Sequence, residues 1–261
     1  MALDDPIETY LPDDPVAGRR ITIRHLLTHT SGIKSYTGLG PKFWDNSRLD
    51  YSHEKLIALI KDEPPDFQPG EKVLYNNSGY YLLGVIIEKV TGESYGSHVK
   101  KTLFDPLGLS STMYCDNEPV VKQRAAGYQV SLGVVQNAAP LSMKAPFSAG
   151  ALCSSVTDLV AWTSALMNGK VVSRASLDQM ITPAQLNDGK PTTYGFGLGV
   201  GDGDKRAISH GGGINGFASF MTYLPDREIV VVVLTNLGGA KPGAIAAEIL
   251  KAIPENPTPP A

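Results

Sequence analysis

The last third of the chain narrows most sharply what it can fold into. Tyr194–Val200, Arg206–His210, Gly216–Leu224 and Glu228–Thr235 follow one another with only short links, among them the turn Pro225-Asp226-Arg227. Their β-branched and aromatic content reads as strands. Links this short allow only antiparallel pairing, because a parallel crossover needs about a dozen residues or more. The longest apolar run, Ile229-Val230-Val231-Val232-Val233-Leu234, suits a buried strand and is too short to span a membrane.

Upstream of Thr192 the period is helical. Ile21–Thr28 predicts a short helix with Thr22 as its cap, and 52–62 places Leu56, Ile57 and Ile60 on one face before Pro64-Pro65 stops it. Gly79–Thr91 carries a Leu83/Ile86/Ile87/Val90 stripe and ends at Gly92. Ser155–Asn168 has capping-box spacing between Ser155 and Asp158 and a Leu159/Trp162/Leu166 stripe. The expected organisation is a mainly helical region over 1–190, an antiparallel sheet with a closing helix (Lys241–Ile253) over 191–253, and a flexible proline-rich tail over 254–261. That is an α+β arrangement with no internal repeat.

With 261 residues and 42% hydrophobic content the chain can bury a large core. A net charge of −3 without Lys/Arg runs argues against a nucleic-acid partner or an anionic membrane surface. Cys115 and Cys153 are read as two free, buried cysteines, with a single disulfide as the alternative. Met1-Ala2-Leu3-Asp4-Asp5 has no signal-peptide character. The chain is thus cytoplasmic as written, or exported if a signal-bearing N-terminus has been removed.

Four segments carry the chemistry. They are Leu3-Asp4-Asp5-Pro6-Ile7-Glu8-Thr9-Tyr10-Leu11-Pro12, the stretch Ile21–Gly32 reading ITIRHLLTHTSG, the Phe67–Tyr80 stretch containing Tyr75-Asn76-Asn77, and Ser209-His210-Gly211-Gly212-Gly213. In this order they resemble the serine β-lactamase, penicillin-binding protein and class C-like esterase family. The resemblance implies a β-lactamase/transpeptidase-like fold and hydrolysis of ester, β-lactam or D-amino peptide bonds through an acyl-enzyme. It makes Tyr75 the general base or proton shuttle, a role that needs a nearby cation because a free phenol titrates near 10. Asn77 would donate its amide to the substrate, and His210 would stand where the family has a strand lysine. Gly213, beside Gly212, would offer a backbone N–H as half of an oxyanion hole.

The family's Ser-x-x-Lys helix lies upstream of the LDDP stretch, which here begins at Leu3. The nucleophile is therefore not in its expected place, and the N-terminal part of the fold is expected to be missing. Ser31/Lys34, Ser52/Lys55 and Ser97/Lys100 match the two-position motif. Only Ser31 falls in a loop that borders the family's cleft, which makes it the candidate relocated nucleophile. Gly92-Glu93-Ser94-Tyr95-Gly96 matches the nucleophile-elbow pattern, but it follows a helix cap and opens another helix, which is the wrong context. His25 and His29 have the spacing of a metal pair but no third ligand, so packing is expected and no metal or cofactor is implied.

Three readings result: a serine hydrolase that is truncated and catalytically incomplete, a non-catalytic binding relative, and an esterase using Ser31. A missing buried helix would leave an apolar face and a sheet edge uncovered, which predicts a homo-oligomer or a complementing N-terminal segment.

Overall fold

The computed structural model describes residues 1–11, 16, 19–201 and 206–254. Its helices are α1 (Ile23–Leu27), α2 (Pro41–Trp44), α3 (His53–Lys61), α4 (Asn77–Thr91), α5 (Tyr95–Val99), α6 (Val156–Met167), α7 (Arg174–Met180) and α8 (Pro242–Ala252). Short pairs β1 (Met113–Tyr114) with β4 (Leu152–Cys153), and β2 (Tyr128–Ser131) with β3 (Val134–Asn137), lie between α5 and α6. The main sheet is antiparallel in the order β5 (Gly199–Val200), β6 (Ile208–Ile214), β7 (Phe217–Leu224), β8 (Ile229–Thr235). No described strand pairs along the outer edge of β8.

Side chains in the sequence fix the helix starts. Thr22 Oγ1 accepts from His25 N–H while His25 Nδ1 accepts from Thr22 N–H, a reciprocal cap in which histidine takes the place usual for Glu or Gln. Ser52, Ser94 and Ser155 accept from the backbone N–H three residues on, at Lys55, Ser97 and Asp158. Asn76 does the same for α4 through Gly79 N–H, and Gly92 closes that helix at φ 70°, a conformation costly for any residue with a Cβ.

α4 is the hub of the main core, which also holds Leu26, Tyr36, Phe43, Leu56 and Phe147. Its buried face is Tyr81, Leu82, Val85 and Ile86; of the expected Leu83/Ile86/Ile87/Val90 stripe Ile86 is buried, Leu83 and Ile87 are partly buried against the core, and Val90 is exposed. The apolar residues run most of the way round this helix, so periodicity locates it but does not choose its face. Gly84 sits where α4 meets the Phe147–Ala149 turn, and a Cβ there would collide with Ser148. A second core gathers Leu166, Met167, Leu177, Leu198, Val200 and Ile208 between α6, α7 and the sheet.

α6 and α8 cover opposite faces of the sheet. Thr163 of α6 contacts Met221, Gly243 of α8 lies against Phe220, and adjacent strand residues point to opposite faces. β6 differs from expectation: it begins at Ile208 and runs through all three glycines to Ile214, registered against β7 as His210↔Met221, Gly212↔Ser219 and Gly213↔Ala218. Glycine is a poor strand former in isolation, but pairing with β7 supplies the order that propensity does not. Of the 194–200 stretch only Gly199–Val200 joins the sheet, with a single bridge from Tyr194 to Gly199.

The cysteines are joined, contrary to the expectation of two free thiols. β1 and β4 pair Met113 with Cys153, and this brings Cys115 and Cys153 to a Cα–Cα distance of 5.5 Å in a disulfide. The residues expected to form the tail are outside the described residues from 255 onward.

Candidate active site

The site is assembled from a kink. α1 ends at Leu27, and two residues later His29 adopts φ 58° and is buried. Its carbonyl accepts from Leu74 N–H at 3.0 Å, and its Nδ1 accepts from Asn76 N–H at 3.1 Å. Asn76 is also buried, donating from Nδ2 to the Ile33 carbonyl at 2.5 Å and accepting Gly79 N–H at 2.9 Å. These bonds lock the residue between Tyr75 and Asn77 inward and turn Tyr75 outward at the start of α4.

Tyr75 is 53% exposed. Its ring packs on that of His29 with centroids 4.3 Å apart and stands 6.1 Å from the ring of His210. Its hydroxyl makes no hydrogen bond among the described residues. Asn77 donates from Nδ2 to Thr37 Oγ1 at 3.0 Å and from its backbone N–H to Ser35 Oγ at 3.3 Å. His210 Nε2 lies 3.0 Å from the Tyr194 hydroxyl, which lies 3.3 Å from His29 Nε2. The structure thus brings Tyr75 and His210 to one cluster, with Asn77 two residues beyond Tyr75 as the first residue of α4, and Gly212 and Gly213 following His210 on β6.

The two glycines differ. A Cβ at Gly212 would collide with Ser219 Oγ across the ladder, whereas a Cβ at Gly213 would meet nothing within 4 Å. An open cavity of about 700 Å³ runs along Gly211–Gly213 to Trp44 on one side and Pro242–Gly243 on the other. A smaller one, about 420 Å³, lies among Arg24, Thr28, Asp178 and Asn187, and neither cavity is bordered by Tyr75 or His210.

The electrostatics are those of a neutral site. Burial, with His210 nearby, depresses His29 to about 4, and burial lowers His210 as well. Burial raises Tyr75, Tyr80 and Tyr194 above the ordinary phenol value. At neutral pH the cluster therefore holds neutral imidazoles and protonated phenols. Neither nearby lysine supplies a cation: Lys34 is ion-paired to Asp66, and the Lys72 ammonium sits over the Phe67 ring at 5.2 Å.

The Ser-x-x-Lys candidates do not pair serine with lysine. Ser31 Oγ is sealed from solvent without a hydrogen-bond partner, and its Lys34 is held by Asp66. Ser52 caps α3 through Lys55 N–H, while Ser97 accepts from Ser94 and Lys100 pairs with Asp105. Ser94, the centre of the elbow-like pattern, caps α5. Among the described residues no group of three or more His, Cys, Asp or Glu is placed to hold a metal, and no helix is long and apolar enough to cross a membrane.

Sequence reasoning missed His29 and Tyr194. The i, i+4 spacing groups His29 with His25 in the sequence, but the polar turn His29-Thr30-Ser31-Gly32 marks the helix end and lets His29 point elsewhere. Tyr194 carried no signal beyond its place at the head of an expected strand.

A four-stranded antiparallel sheet between helices, abutting a helical region that presents Tyr75 toward its glycine-rich strand, is the β-lactamase/transpeptidase-like α+β fold. The chain belongs to the Beta-lactamase family, whose model matches residues 1–253. It is 29% identical over 251 residues to penicillin-binding protein 4* of Bacillus subtilis (strain 168), a match spanning 90% of this chain and 55% of that protein. It therefore covers little more than half the length of that relative. Among solved structures it is similar to a D-stereospecific amidohydrolase from Streptomyces sp. (TM-score 0.82, 29% identity, 95% of this chain and 78% of that one). It is also similar to an octameric penicillin-binding protein homologue from Pyrococcus abyssi (TM-score 0.79, 31% identity, 97% and 60%).

Proposed function

We propose that the chain carries the Tyr75 side of a serine acyl-transfer site that hydrolyses ester, β-lactam or D-amino amide bonds, with the serine nucleophile supplied by a complementing segment. The observation that carries this reading is the placement of Tyr75 just before α4, half-exposed and with its hydroxyl unengaged, its ring 6.1 Å from that of His210 on the glycine-rich strand. A phenol in that position accepts the proton of an attacking serine once a cation lowers its pKa. A serine–lysine pair would provide both the cation and the nucleophile. Asn77 would donate to the acyl side chain after exchanging its bond to Thr37. Gly213 N–H would hold the oxyanion, and His210 would donate to the substrate. Because burial keeps His210 neutral, the strand holds no fixed positive charge for a β-lactam carboxylate, which favours esters and amides. The name of the Streptomyces relative points to D-configured amides as the class to try alongside esters.

The free outer edge of β8 supports self-association or strand complementation as the accompanying state. A strictly monomeric particle in light scattering, with a normal unfolding transition, overturns that part.

A nitrophenyl-ester and D-amino-acid-amide assay, with Tyr75→Phe as control and fluorophosphonate labelling mapped by mass spectrometry, tests the rest. Turnover lost in Tyr75→Phe when the chain is assayed with a complementing segment that bears a Ser-x-x-Lys pair, with label on that serine, agrees with the proposal. Label on Ser31 would move the nucleophile there instead. Turnover that survives Tyr75→Phe overturns it, and binding without turnover or label makes the protein a non-catalytic relative.

A further inference from the structure

We infer that His29, Tyr194 and His210 form a hydrogen-bonded relay that fixes His210 as the Nδ1–H tautomer, which makes His29 and Tyr194 positioning residues for the donor on β6. The role assigned to that donor rests on the acyl-transfer reading above, but the relay itself does not.

One group in the cluster has a direction that is beyond choice. The backbone N–H of Asn76 can only donate, and it donates to His29 Nδ1 at 3.1 Å. Nδ1 is therefore unprotonated. Rotating the ring by 180° would set a carbon against this N–H and leave a buried backbone donor unpaired, which folded proteins avoid. A neutral His29 then carries its proton on Nε2, which donates to the Tyr194 hydroxyl at 3.3 Å.

Tyr194 now holds one proton with no use on the His29 side. His210 Nε2, at 3.0 Å, is the acceptor in reach. The neighbouring Tyr80 hydroxyl gives its own proton to the Leu27 carbonyl at 2.9 Å. Were His210 also to donate through Nε2, the Tyr194 hydroxyl would receive two protons and its own would be left with only the weaker contact to the Tyr80 hydroxyl oxygen, in place of His210 Nε2 at 3.0 Å. The arrangement that satisfies every group runs in one direction: Asn76 N–H to His29, His29 to Tyr194, Tyr194 to His210. His210 is left with its proton on Nδ1.

Two consequences follow for the site. The Nε2 lone pair of His210 is occupied, so this residue is no base at that atom and acts as a donor from Nδ1. The relay also forms the wall on which Tyr75 rests, since the His29 ring that passes the proton polarity is the ring packed against the phenol at 4.3 Å. The direction of a bond to the α4 cap thus sets the polarity of a side chain on the sheet.

The test is a long-range ¹H–¹⁵N spectrum of the histidine side chains of the whole ¹⁵N-labelled chain at neutral pH, which separates Nδ1–H from Nε2–H tautomers. The expected result is His29 as Nε2–H and His210 as Nδ1–H. In Tyr194→Phe, His29 should be unchanged while His210 gains the Nε2–H form. A wild-type His210 in the Nε2–H form, or a His29 in the Nδ1–H form, overturns the relay. An unshifted His210 tautomer in Tyr194→Phe overturns it as well. If Tyr194→Phe does not fold, the wild-type spectrum decides alone, with His29→Asn as the second variant, which should free His210 in the same way. A chain that turns over no ester or amide sinks the hydrolase reading while leaving these tautomers as they are, so the two failures are distinguishable.

Discussion

Reducing the Cys115–Cys153 disulfide should lower stability by about 4 kcal/mol. The bond closes a sequence separation of 38 residues, for which loop-closure entropy gives roughly 13 cal/mol/K, or about 4 kcal/mol at 25 °C. For a chain of this size that corresponds to a fall in Tm of roughly 8–16 °C. The same junction is otherwise held by the two residue pairs of β1 and β4, by Cys115 N–H donating to the Ala151 carbonyl, and by Thr112, whose hydroxyl bonds Ser154 and Asp158. The effect should also reach the site: Cys115, Met143 and Ala151 form a small core against Ile214, the residue that follows Gly213 on β6. Thermal and urea unfolding with and without dithiothreitol measures the change, alongside a thiol titration of the denatured, unreduced protein. A Cys115→Ala/Cys153→Ala variant should match the reduced protein and ignore the reductant. Two titratable thiols in the unreduced protein, or a midpoint that dithiothreitol does not move, would refute the reasoning.

Three further outcomes are expected. Tyr75→Phe should change stability by less than about 0.5 kcal/mol, because the hydroxyl it removes has no hydrogen bond among the described residues, while lowering any turnover by about 10²-fold or more; a large loss of stability with unchanged turnover contradicts the site. Lowering pH should destabilise the fold between about 6.5 and 4, since His29 binds its proton at about 4 when folded and near 6.5 when unfolded. In that window the unfolded chain holds the extra proton, so stability rises with pH; at about 1.4 kcal/mol per pKa unit the loss approaches ~3 kcal/mol, with His210 adding to the same slope. His29→Asn, which tolerates φ 58°, should flatten this slope in urea titrations across pH, and an undiminished slope argues against the burial of His29. Gly84→Ala should destabilise by about 1–2 kcal/mol, because overpacking against Ser148 and Phe147 outweighs about 1 kcal/mol of gained helix propensity; a more stable variant in denaturant melts would show that this junction is loose.

The sequence carried the helices and strands where a local signal was strong. Thr22 and Ser155 cap the helices that the sequence expects them to cap, and the strands around Gly216–Leu224 and Glu228–Thr235 begin within a residue of their expected starts. What failed was non-local. Periodicity cannot say which side of α4 meets Phe147, since Leu83 and Leu82 are equally apolar. It cannot carry β6 through Gly211-Gly212-Gly213, whose strand character comes from β7. The spacing of Cys115 and Cys153 says nothing of the β1–β4 ladder that joins them. Tyr75 and His210 stood out because they sit in long recognisable segments, whereas His29 and Tyr194 are 165 residues apart and only the folded chain puts them in contact.

The unpartnered edge of β8 also makes protein concentration a thermodynamic variable. Seven residues, Ile229 to Thr235, end the sheet with a β-branched backbone row that has no described strand beside it. Any strand that pairs there binds the folded chain and not the unfolded one, and so stabilises it by mass action in proportion to the logarithm of its concentration. If that strand comes from a second copy, dilution alone should lower the unfolding midpoint, and a stability quoted for this protein has meaning only beside the concentration at which it was measured.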